Sequence, residues 1–194
     1  MYFKMEKYEI SPEGLLSALE QEVEQAIGRH KLKVTPETSR YLTAMLAKFA
    51  ETTALFPDKN CGTWLEPLTI QCHRITEETD ALLRRNQQQQ LGDHCLFLVG
   101  YFYDFIRRHG EATVRYYSSI GSTAYQQLGR SPFIEVGQKF ADLYLVIGDL
   151  HLPQLDEKKT VEIYERWEKT RDKYYASLLL GKGIVPKELQ KANN

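Results

Sequence analysis

Long apolar runs are missing from this 194-residue sequence. Its most apolar stretch, Cys95 to Ile106, is interrupted by Asp104 and followed by Arg107 and Arg108. A membrane-spanning helix needs about 20 predominantly apolar residues, so this stretch reads as a core helix and no membrane partner is expected. An excess of charge is missing too: 25 basic side chains stand against 26 acidic ones, a net charge of −1. That leaves no global field to gather nucleic acid or an anionic membrane. Cysteine is scarce. Cys61, Cys72 and Cys95 are odd in number and lack CxxC spacing, which argues against a disulfide framework and suits reduced thiols in a cytoplasmic protein. Met1 to Ser11 mixes Lys4, Glu6, Lys7 and Glu9 with aromatics and has no continuous apolar core, so no secretory signal is expected. Gly-rich phosphate loops, HExxH, GxSxG and the Glu-x-x-His pairs of di-iron bundles are all absent. So are an internal repeat of fixed period and any alternation long enough for a strand.

What is present is helical patterning in an ordinary globular mix, 42% hydrophobic and 26% charged. Residues 1–185 read as a single helical domain and 186–194 as a frayed tail. Three starts share a signature, Ser11-Pro12, Thr35-Pro36 and Ser131-Pro132. The hydroxyl accepts an otherwise unpaired N–H, and Pro at the first helical position has no N–H to orphan. After the first start, Leu15, Leu19, Val23 and Ile27 form a stripe; after the second, Leu42, Met45, Leu46 and Phe49 do, up to a stop at Phe56-Pro57-Asp58. Thr63 to Glu66 reads as a capping box for a short helix to about Ile75, and Thr76-Glu77-Glu78 as a new start. From there helical residues run to Arg108. That length and Gly92 predict a kink near Gln90 to Asp93, with Gln87 to Gln90 on a solvated turn. Gly110 closes this element. The stripe Val114, Tyr117, Ile120, Gly121, Ala124 and Leu128 marks the next helix. Phe133 through Leu150 marks another, stopping at Leu152-Pro153, and Val161 through Leu178 a last long one ended by Gly181. The fold class is all-α, a compact bundle of six or seven helices.

Leu91 to Leu128 is the informative segment. Leu96, Phe97, Leu98, Val99, Tyr101, Phe102, Phe105 and Ile106 occupy every side of a helical wheel, which places this helix at the centre of the bundle. Gly100 and Gly121 each cost about 1 kcal/mol relative to Ala in a helix, which implies close backbone approach or room for a ligand. Helix crossing is the plainer of the two. Asp93 is expected to be an N-cap after Gly92; as a buried carboxylate it would need a partner, with Arg115 and the hydroxyls of Tyr116, Tyr117 and Tyr125 as candidates.

The run Leu91-Gly92-Asp93, Leu96-Phe97, Gly100-Tyr101-Phe102, Arg107-Arg108, Tyr116-Tyr117, Gly121 and Ala124-Tyr125 resembles segments of bacterial helical proteins of uncharacterised function. The resemblance spans residues 91–128, less than a quarter of the chain at the matching positions. It implies a bacterial origin and carries no activity or catalytic residue with it.

Chemistry-bearing residues are few. Cys72-His73 and His94-Cys95 would approach one another if their segments packed antiparallel, but neighbours on a helix point about 100° apart, so no metal site is expected. His94 or His109 beside the aromatics would be the axial ligand of a haem, and Cys95 with His94 an activated thiol; aromatics and histidines at helical spacing read more simply as core and caps, so no cofactor and no catalytic residue is expected. Arg84-Arg85 and Arg107-Arg108 solvate helix ends, without a nucleic-acid partner. The leading expectation is a non-enzymatic protein that contacts another protein or forms a homo-oligomer. The alternative is a small-molecule-binding or enzymatic bundle whose pocket, beside the 91–108 helix, is lined by Asp93, Tyr101, Arg115, Tyr117 and Tyr125.

Overall fold

A computed structural model describes residues 12–50, 67–150 and 156–186. Ten helices and no strand occur among them. They are α1 (Pro12–Arg29), α2 (Pro36–Ala50), α3 (Leu68–Glu77), α4 (Ala81–Tyr101), α5 (Tyr103–Arg108), α6 (Glu111–Gln127), α7 (Phe133–Gln138), α8 (Phe140–Asp149), α9 (Glu157–Thr170) and α10 (Lys173–Gly181). None of the described helices is long and apolar enough to cross a membrane. The expected cap Ser11, the stop at Phe56-Pro57-Asp58, the capping box Thr63–Glu66, Cys61, the stop at Leu152-Pro153 and the tail beyond Pro186 lie outside the described residues.

The all-α class holds, with more and shorter helices than six or seven, because three expected long helices break. The 76–108 stretch breaks at Phe102 (φ −112°, ψ 32°) and continues unbroken through Gln90 to Asp93, where the kink was expected. Gly92 does not interrupt α4 because its bare Cα is what lets the Tyr125 ring lie there; a Cβ would stand 3.0 Å from three ring atoms. The turn at Phe102 swings Tyr103 onto Tyr174, with ring centroids 3.8 Å apart. The 133–150 stretch breaks at Lys139, since the Gly137 carbonyl is taken by Ser122 Oγ at 2.8 Å instead of by the next helical turn. The last helix breaks at Arg171, which adopts a left-handed conformation (φ 54°) with its guanidinium 4.3 Å from the Trp167 ring centroid, so that α10 folds back on α9.

Two starts also differ from expectation. Thr76 ends α3 rather than opening a helix, its Oγ1 donating back to the Cys72 carbonyl at 2.8 Å. The true cap of α4 is Asp80, whose Oδ1 accepts from Leu82 N at 2.7 Å and Leu83 N at 3.0 Å. Pro132, not Ser131, stands at the N-cap of α7, and Ser131 Oγ instead donates to Glu37 Oε2 at 2.7 Å. Thr35 caps α2 as expected, accepting from Thr38 N at 3.3 Å. Glu135 of α7 completes that cap from outside: its Oε2 accepts from Thr35 N (2.9 Å), Thr35 Oγ1 (2.7 Å) and Thr38 Oγ1 (2.6 Å).

The core forms two clusters. The larger gathers Val23 and Ala26 of α1, Leu42 to Phe49 of α2, Leu91 to Phe97 of α4, and the inward faces of α6, α7 and α8. The smaller joins Val99, Tyr103, Ile106 and Val114 to Trp167, Tyr174, Tyr175, Leu178 and Leu179 of α9 and α10. Tyr117 and Tyr144 pack against both. α4 runs between them as the expected central helix, against α3, α6 and α8. Gly100 and Gly121 sit at helix crossings: a Cβ on Gly100 would meet Ile147 at 2.7 Å, and one on Gly121 would meet Cys95 and Phe140 at 2.6 Å.

Candidate functional site

Asp93 lies inside α4, not at its start, and is 5% exposed. The cap reading fails because Asp80 opens the helix more than three turns earlier. Two phenols meet the buried carboxylate. Tyr125, carried by α6 and completely buried, donates to Asp93 Oδ1 at 2.6 Å. Tyr41, carried by α2, donates to the same oxygen. The rings of Tyr41 and Tyr125 pack edge to face at 6.1 Å, and both lie against Phe133 of α7. Met45 Sδ lies 3.6 Å from the Tyr125 hydroxyl.

The electrostatics follow from that enclosure. Burial pushes the Asp93 carboxyl up to about 6, even though the bonds from Tyr125 and Tyr41 and the charge of Lys48 pull the other way. Burial and the neighbouring carboxylate raise both phenols, so each remains a hydrogen-bond donor at neutral pH. His94, the next residue, is pushed down to about 4 by burial and by Lys48, and is therefore neutral. Asp93 thus holds or releases one proton near neutrality, inside a sealed aromatic shell that ties α2, α4 and α6 together.

Of the five residues expected to line a pocket, only Asp93 and Tyr125 meet. Arg115 stands ten residues before Tyr125 on α6, about 15 Å along the axis, and pairs with Glu111 on the exposed face at 3.7 Å. Tyr101 stacks on Phe97 at 5.0 Å, and Tyr117 is half-buried at the seam of the two clusters. Neither cavity described below is lined by any of the five. The soft ligands part similarly. Cys72 and Cys95 are free thiols, both raised by burial, and Cys95 also by the neighbouring Cys72. His73 instead faces solvent beside Glu77 at 3.5 Å, and His94 packs near Phe49. His109 approaches the Phe105 carbonyl at 3.0 Å through Nδ1.

The surface carries two features of functional interest. The first six residues of α4, Ala81 to Asn86, are exposed all round, including Leu82 at 71% and Leu83 at 46%. Beside them a groove of about 460 Å³ runs between α3, α4 and α6, floored by Ile75, Leu91 and Ala124 with Arg84 and Gln88 on its rim. The second feature is a cavity at the C-terminal ends of α1, α8 and α10, which holds the fully buried Asp149. Sequence reading missed Tyr41, Asp149 and the bare start of α4. Leu82-Leu83 next to Arg84-Arg85 was the available signal for the last, because it spoils the expected one-sided stripe. No family model, curated protein or solved structure matches the chain.

Proposed function

We propose that the protein acts by contact rather than by chemistry, and that the contact joins two copies of this chain along the exposed start of α4. The observation that carries this reading is the bare helix Ala81–Asn86 with its two exposed leucines. Helices in water draw most of their stability from a packed face, and this first stretch of α4 has none among the described residues. Charge supports a second copy as the occupant. In an antiparallel crossing centred between Leu82 and Leu83, Asp80 of one copy lies opposite Arg85 of the other, twice by symmetry. The net charge of −1 sets no long-range repulsion against pairing. A cytoplasmic location suits the free thiols Cys72 and Cys95, and the acids flanking Arg84-Arg85 disfavour nucleic acid as the partner.

Sedimentation velocity on the full chain tests the reading. The expected result is a species of twice the chain mass at micromolar concentration, reverting to the single chain in the double variant Leu82→Glu/Leu83→Glu and weakened in Arg85→Glu. All three positions are exposed, so the variants should fold. A wild-type chain that stays single up to about 100 μM, a weak-complex limit, would overturn it.

A further inference from the structure

The first six residues of α4 stand apart from the rest of the helix. Gln88 makes the first side-chain tie to another helix, donating to Gln127 at 3.0 Å, and the buried run begins only at Leu91. Among the described residues, no side chain from Ala81 to Asn86 makes a hydrogen bond or an ion pair. What holds this start is Asp80, whose Oδ1 accepts from Leu82 N and Leu83 N and whose carbonyl accepts from Arg84 N at 2.9 Å. The nearby charges oppose it. The first turn contains no acid, and Arg84-Arg85 follow at once, two cations close to the positive end of the helix dipole. Adding one residue to an existing helix changes the free energy little, so a start without a packed face opens and recloses easily.

A second copy supplies what this start lacks. In the antiparallel crossing it covers Leu82 and Leu83 and sets its own Asp80 opposite Arg85, bringing a negative charge to a turn that has none. We infer that residues 81–86 gate the pairing: they open and reclose in the single chain and are held helical when a second copy covers them. This gate rests on the self-association proposed above and supplies its regulation. Only a chain whose start is closed can pair, so affinity falls with the fraction closed, once for each copy. Residues that touch no partner then set the strength of assembly. Arg84 is one of them: it shares the groove face with Gln88 and Leu91, about 160° around the helix from Leu82 and about 100° from Leu83.

Amide deuterium exchange on the full chain, below and above the pairing midpoint located by sedimentation velocity, provides the test. The amides of Leu83 to Asn86 should exchange about tenfold or more slowly in the pair than in the single chain, while those from Leu91 onward are protected in both. Two pairs of variants read the gate itself. Arg84→Ala and Arg84→Gly lose the same charge and differ in helix propensity, so the Gly variant should pair about fivefold more weakly for each copy, about 25-fold in all. Asp80→Asn and Asp80→Ala both lose the charge opposite Arg85, but Asn keeps the cap, so the Ala variant should be the weaker by a similar factor. Both positions are exposed, so the variants should fold. Equal pairing by the two Arg84 variants, or amides of 83–86 already protected in the single chain, would overturn the gate and leave self-association standing. A chain that never pairs overturns both.

Discussion

Replacing Asp93 by Asn removes one ionisable group from a sealed site while leaving an oxygen that both Tyr41 and Tyr125 can donate to. In the folded chain burial lifts the Asp93 carboxyl from its ordinary 3.8 to about 6. The folded state therefore holds the proton more tightly than the unfolded state, and the group's effect on stability runs opposite to that of a paired surface acid. Below about pH 4 both states are protonated and Asp93 costs nothing. As pH rises through the window from 3.8 to 6 the folded state must give up its proton, and stability falls. A separation of about two pH units corresponds to about 3 kcal/mol at the upper end of the window. Asn does not titrate, so the variant should gain on the wild type by up to about that amount between pH 4 and pH 7. Urea denaturation followed by far-ultraviolet circular dichroism, at half-unit steps across that range, measures the difference directly, and the acids common to both proteins cancel. A flat difference curve would mean that Asp93 is not desolvated. A curve of opposite slope would mean that the two phenols hold the ionised form more strongly than burial opposes it. Either result refutes the account of the site given above.

Other perturbations test the remaining contacts. Gly121→Ala places a methyl 2.6 Å from Cys95 and Phe140 and should lower stability by about 1–3 kcal/mol, read as a fall in Tm. Burial opposes the ionised Glu135, but bonds from Lys139, Thr38 and Thr35 outweigh it and hold the carboxyl down at about 2. Its contribution is full above about pH 4.5 and lost as pH falls toward 2, so Glu135→Gln should cost about 1–2 kcal/mol at pH 7 after solvent screening, and little at pH 2, by urea titration. Asp172 caps α10 through Tyr174 N at 2.9 Å, accepts from the Tyr103 hydroxyl at 2.6 Å and pairs with Arg107. Asp172→Ala should therefore cost about 2–3 kcal/mol in thermal unfolding; a change of less than about 0.5 kcal/mol would show the cluster to be decorative.

The sequence made the helices legible wherever a stripe had a face to bury. Of the expected stripes, Val23, then Leu42, Met45, Leu46 and Phe49, then Val114, Gly121, Ala124 and Leu128 are buried, while Leu19, Ile27, Tyr117 and Ile120 are half-buried. The breaks were harder to see, because Phe102, Lys139 and Arg171 are not residues that stop helices by themselves. Each break follows from a contact made elsewhere, with Tyr174, Ser122 and Trp167 respectively. Three of the true caps, Asp80, Asp156 and Asp172, carry the capping chemistry in plain view, yet an acid near a helix start is equally at home in solvent. At the candidate site, Tyr125 was foreseeable as a partner for Asp93 from the adjoining helix. Tyr41 was not: it lies 52 positions away, and only the packing of α2 on α4 brings it there. Asp149 is hidden for a similar reason, since nothing along an apolar helix announces that its last carboxylate faces Arg29 from 120 positions earlier.

The division of the core at α4 bears on how the molecule comes apart. Its larger cluster draws on α1, α2 and the 91–97 stretch, whereas its smaller one closes only when α9 and α10 return to the Tyr103 face. Tyr117 and Tyr144 are the seam. Opening that seam exposes the smaller cluster and leaves the larger closed, a sub-global step of lower free energy than complete unfolding. Backbone amides of α9 and α10 should then exchange with deuterium together, as one cooperative unit, ahead of those in α2 and the buried half of α4. The Asp93 shell would persist through that opening, its two phenols still donating to the carboxyl when α9 and α10 have already let go.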